Sequence, residues 1–210
     1  MIAYFIILIF SICFHELAHL FMALFWKVKV HACSFGFGKV LLHKKWKEID
    51  WRISAIPLGG YCDIEEDLNK PNNLYSISYW KQLTIILAGV LINFLIAFIC
   101  YWINFQSIKT GLMVDWLLIK AFLLKDETIL YQMIYYLQTV HVIILECSLL
   151  NITLAITNLF PIPALDGGYI WLLPLRKKLS EKIYKLIIGI GFGSLVISQF
   201  WLIWYLYYKG

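Results

Sequence analysis

Apolar residues fall in long blocks along this 210-residue chain, and the breaks between the blocks set its architecture. The blocks cover residues 2–26, 78–104, 128–160 and 183–208. A helix needs roughly 20 apolar residues to cross a hydrocarbon layer of about 30 Å, and every block is long enough. Residues 27–62 read differently. "KVKVHACSFGFGKVLL" and "KEIDWRISAIPLGGYC" alternate in part and are punctuated by glycine. That pattern predicts strands and turns rather than helix. A shorter block at 111–124 carries Asp115 and Lys120. It would span only about 21 Å as a helix, so it is read as interfacial or re-entrant. The expected fold is a single domain over 1–210. It is an all-α polytopic membrane protein of about four transmembrane helices, with a small membrane-associated β-hairpin or sheet after the first.

Composition strengthens this reading. The chain is 61% hydrophobic and 15% charged, with a mean hydropathy of +0.76. A soluble domain of this length cannot hide that much apolar surface. The net charge of +5 reads as topology. Lys27, Lys29, Lys39, Lys44, Lys45, Lys47 and Arg52 crowd one segment, and "RKKLSEKIYK" (176–185) forms another. Basic loops stay in the cytoplasm, so four crossings place both termini outside. No basic face with interleaved aromatics is present, and no nucleic-acid partner is expected. The cysteines show no CxxC or zinc-knuckle spacing and read as reduced or buried thiols. The first block lacks a basic n-region and carries His and Glu, which does not fit a cleavable signal.

Those ionisable residues are the chemical anomaly. His15, Glu16 and His19 form "HELAH" inside the first block. At i and i+4 the two imidazoles share a helix face and can grip one zinc ion, with Glu16 as general base toward the water that the metal activates. A charged group at the centre of a membrane costs about 2.5–3.5 kcal/mol on insertion scales, so three such groups need a purpose. The alternative is a polar face hydrogen-bonded to other helices. A catalytic zinc needs a third protein ligand. Asp166 in "NLFPIPALDGG" (158–168) is the candidate, at a compatible depth on a segment that proline and glycine must break. Chemistry alone leaves it open between a ligand and a plain Asp-Gly turn. Asp115 belongs to the outer side, and Glu146 lies too far outward. His31 and His43 sit in the basic loop and are expected to be solvated. His141 is read as an interhelical hydrogen-bonding residue, and "IGIGFGS" (188–194) as a site of close helix packing.

These residues resemble the site-2 proteases, intramembrane zinc metalloproteases marked by HExxH on one transmembrane helix and an NxxPxPxLDGG-type motif on a later one. "FGFG" (35–38), "IPLGGY" (56–61) and "AGVLINF" (88–94) extend the similarity over about residues 10–175. The resemblance implies one Zn2+ per chain held by His15, His19 and Asp166. It implies Glu16 as the catalytic base and Asn93 as a substrate or transition-state contact. Val90 stands where the family often has proline. The family's PDZ and CBS domains have no counterpart here, so any regulatory membrane partner is unidentified. The implied substrates are single-span membrane proteins or peptides, such as anti-sigma factors, signal-peptide remnants or pheromone precursors. The strand-rich segment, over 49–61, could capture an unwound substrate by strand pairing, or it could be an ordinary hairpin. Two rival classes share the His/Asp cluster: a metal transporter, and an inactive relative that only binds membrane partners.

Overall fold

The computed structural model describes residues 2–105, 109, 113, 116, 117, 120 and 142–209. The first block folds as helix α1 (Ile2–Phe25), a run free of glycine and proline. The chain leaves it through Lys27, whose φ of 57° is left-handed, and Val28 N–H returns to Ala23 O at 2.8 Å. That turn satisfies orphan carbonyls at the helix end.

Strands β1 (Val30–Trp46) and β2 (Ile49–Ile64) follow. Lys47 and Glu48 join them, both at positive φ (48° and 67°), as a two-residue hairpin of type I′ requires. The long strands do not simply lie side by side. Leu42–Trp46 pairs with Ile53–Ile49, whereas Val30–Phe35 pairs with Ile64–Gly60. Asp50–Ile53 also lies alongside Ala32–Phe35. The strand segments are therefore ordered 40–46, 50–53, 32–35, 60–64. β1 turns this corner at Gly36 and Gly38, whose φ values of +99° and +80° suit glycine.

Helix α2 (Tyr79–Phe105) comes next. It carries a stripe at i+4 spacing, Ile85, Gly89, Asn93 and Ala97. This faces the matching α1 stripe of Ser11, His15, His19 and Ala23, which is buried throughout. Such i±4 rows are the ridges by which helices interlock, and small residues let the backbones approach. The helices are antiparallel, since His19 meets Ile85 and His15 meets Asn93. α3 (Val142–Asn158) packs on α2 through Ile152 against Ala97 and Tyr101. Asn151 Nδ2 ties it to α1 by donating to Ser11 Oγ at 2.9 Å.

After α3 the Pro/Gly stretch makes short turns, with Ala164 at φ 87°, and opens helix α4 (Asp166–Leu172). Helix α5 (Glu181–Lys209) completes the described chain. One apolar core joins Leu20 and Ala23 of α1, Val30 and Cys33 of β1, Ile85 and Ile86 of α2, and Leu173 just after α4.

Among the described residues five α-helices accompany the sheet expected after the first helix, but all-α fits only loosely, because the sheet takes two strands of 17 and 16 residues. Among the described residues, α1 and α2 are long and apolar enough to cross a membrane, and α3 is shorter. Asp115, His141 and most of 111–141 lie outside the described residues.

Candidate metal centre

The i+4 stripe of α1 turns His15 and His19 toward α2. His19 Nδ1–H donates to the Ile85 carbonyl at 2.8 Å. That bond leaves the lone pair of His19 on Nε2. His15 Nε2 lies 3.1 Å from it. The third group arrives from 147 residues further along the chain. Leu165 is extended, α4 begins at Asp166, and Asp166 Oδ2 stands 3.2 Å from His15 Nε2 and 3.4 Å from His19 Nε2. All three side chains are largely buried.

These three atoms make a good cation cradle. Ligands about 2.0–2.1 Å from a tetrahedral zinc stand roughly 3.3 Å from one another, and the edges here are 3.1, 3.2 and 3.4 Å. Asp166 Oδ2 is buried without a hydrogen-bond donor. A buried carboxylate of this kind, beside two converging imidazole nitrogens, is short of positive charge, and a divalent ion would supply it. The space for the ion is kept by Gly89. A Cβ added there would meet His19 Nε2 at 2.4 Å and His15 Nε2 at 2.5 Å.

Glu16 lies on the β2 side of this cradle. A Cβ at Gly60 would come within 2.8 Å of Glu16 Cγ, and Glu16 shares the lining of one cavity with Gly59, Gly60, Tyr61 and Cys62 of β2. The sheet therefore positions the would-be base. A cavity of about 460 Å³ opens beside these groups, lined also by Phe37, Tyr61, Asn93 and Asn158. A larger cavity of about 1030 Å³ shares Tyr61, Cys62, Ile64, Glu66 and Tyr169 with it. On this common wall, burial pushes the Glu66 carboxyl up, and Tyr184 Oη–H donates to it at 2.9 Å.

The structure brings together His15, Glu16, His19 and Asp166. Asn93 lines the cavity but meets His15, not open space, at 3.1 Å. His43 is exposed and reaches Asp50, whereas His31 is half-buried and bonds to Glu65 at 2.8 Å. Sequence reasoning gave no separate role to Ile85, Gly89 or Asn158. Ile85, Gly89 and Asn93 fall at i, i+4 and i+8, so the spacing of the stripe was visible. The roles were not, because Ile85 acts through its backbone carbonyl and Gly89 through what it lacks.

Two imidazoles and a carboxylate, with a glutamate beside them and a cavity in front, form a candidate metal site carried on long apolar helices. The sequence matches the description of peptidase family M50 over residues 3–198, and the chain belongs to that family. It is 37% identical over 98 residues to a Treponema pallidum protein named as a zinc metalloprotease, covering 40% of this chain and 22% of that protein. A Campylobacter jejuni protein of the same description is 38% identical over 104 residues, 46% of this chain and 28% of its own length. The Regulator of sigma E protease of Haemophilus influenzae is 37% identical over 101 residues, 42% of this chain and 22% of its own. The matched region is thus about a quarter of the length of these relatives.

Proposed function

We propose that this chain is an intramembrane zinc endopeptidase of the site-2 type, cutting peptide bonds within or near the membrane-spanning segments of other proteins. The observation that carries the reading is the trio His15 Nε2, His19 Nε2 and Asp166 Oδ2, spaced as the corners of a zinc tetrahedron. Bound there, zinc supplies Lewis-acid polarisation of a carbonyl and lowers the pKa of water. The chain's own residues supply the rest. Glu16 takes a proton at its carboxylate and returns it to the leaving amine. The close approach of Gly60 on β2 sets that carboxylate beside the cavity. α1, α2 and α4 keep lipid away, while the cavity admits water.

Four crossings, by α1, α2, the third apolar block and α5, would place both termini outside and the centre toward the cytoplasm. The two basic segments support this orientation. Substrates are single-span proteins or remnant peptides, presented in unwound form. The transporter alternative needs ligands along a pore. Among the described residues one group of three metal-binding side chains occurs, and it is this one.

Glu16→Gln keeps the shape of the site and removes the base. The expected result is normal zinc content with cleavage of a co-expressed reporter span reduced by at least about 100-fold. Cleavage at the wild-type rate would overturn the mechanism.

A further inference from the structure

The partner of His15 is the unexplained part of the centre. Asn93 is fully buried, its Nδ2 is 3.1 Å from His15 Nδ1, and its Oδ1 has no donor. An amide N–H directed at Nδ1 leaves the ring proton on Nε2, which faces Asp166 and His19. That tautomer puts hydrogen where a cation's ligand must offer a lone pair. An imidazole that binds metal through Nε2 carries its proton on Nδ1 and needs an acceptor there. His19 already has one in the Ile85 carbonyl. The oxygen and nitrogen of an Asn amide exchange places by a half-turn and are assigned from their surroundings. A half-turn of Asn93 gives His15 the acceptor it lacks.

We propose that Asn93 is the positioning residue of His15. Its Oδ1 accepts the Nδ1–H bond, sets the tautomer and aims Nε2 at the metal. One stripe of α2 then serves both ligands. The Ile85 carbonyl orients His19, Asn93 orients His15, and Gly89 between them leaves the gap for the ion. An amide suits this place better than a carboxylate would, because a further buried charge at membrane depth is costly. The inference rests on the zinc reading above, and replaces substrate contact as the primary role of Asn93.

The test is zinc affinity, measured on purified full-length protein in detergent by competition with a chromogenic chelator. Asn93→Ala removes the acceptor, and Asn93→Asp restores one in the same shape. Loss of such outer partners typically weakens metal binding about 10–100-fold. The expected pattern is that loss for Asn93→Ala and recovery to the wild-type level for Asn93→Asp. The melting temperature of each zinc-free protein, taken alongside, separates misfolding from lost ligation. Wild-type affinity in Asn93→Ala would overturn the proposal and leave the zinc reading standing. So would a folded Asn93→Asp as weak as Asn93→Ala. If Asn93→Asp does not fold, Asn93→Ala against wild type still decides. A wild-type protein that binds no zinc would instead overturn the function proposed above.

Discussion

Gly89 shows how much one missing side chain can carry. Its place on α2 is opposite both histidines, and a methyl group would enter the space between their Nε2 atoms. Two consequences follow for Gly89→Ala. The metal position is filled, so zinc content of the purified protein should fall by about 100-fold or more, at least the loss seen when an outer partner is removed. The tight α1–α2 contact is also overpacked, at a cost of roughly 1–3 kcal/mol. Gly193→Ala is the matched control. Nothing lies within 4 Å of the added carbon there, and alanine is the better helix former by about 1 kcal/mol. Gly193→Ala should keep full zinc and melt at or above the wild-type temperature. Equal zinc content in the two variants would show that the Gly89 gap is not the metal's place.

Among the elements, the sheet depends on a polar corner at the end of β2. Glu65 N–H bonds to Lys29 O, its carbonyl accepts from Leu74 N–H, and its carboxylate receives His31 and Lys70 at 2.8 and 3.1 Å. Burial acts to raise this carboxyl, but the Asp67 N–H, His31 and Lys70 outweigh it and hold it at about 2. Because the folded value lies below the unfolded one, the stabilisation is complete above about pH 4.5 and fades as pH falls toward 2. Wild type should therefore melt a few degrees above Glu65→Gln at pH 6, with the gap closing between pH 4.5 and 2. A gap independent of pH would remove the carboxylate from the account. The elements also show what was legible beforehand. Apolar blocks and glycine punctuation located α1, α2, α5 and both strands, because helix length and strand alternation are local properties. The double pairing of β2 was not legible. It arises where β1 turns at Gly36 and Gly38 and brings Asp50–Ile53 against Ala32–Phe35, a long-range choice that no local pattern encodes. His15, Glu16 and His19 could be read from one helical turn. Asp166 needed a motif as well as chemistry, since nothing local brings it to α1.

At the scale of the whole molecule, orientation can be argued from one aromatic knot. The Arg176 guanidinium is buried between the rings of Tyr75 and Tyr184, 5.5 and 4.4 Å from their centroids. Tyr75 Oη and Tyr184 Oη are 3.1 Å apart, and Tyr184 reaches back to Glu66. Segments 64–76 and 176–185 therefore lie at one end of the molecule. The far end of α2 and the start of α3 share the opposite end, where Leu145 packs with Ala97 and Tyr101. In the four-crossing arrangement proposed above, an even number of crossings separates the two basic segments, and we propose from their lysine and arginine that this common end faces the cytoplasm. In a protein whose native cysteines are replaced, Asn69→Cys and Lys177→Cys should both react with a membrane-impermeant maleimide in inverted vesicles. Neither should react in intact cells. Labelling of the two on opposite faces would contradict the knot itself. Labelling of both in intact cells would keep the fold but turn the metal centre toward the outside, and the substrates proposed above would have to be sought among segments unwound on that face.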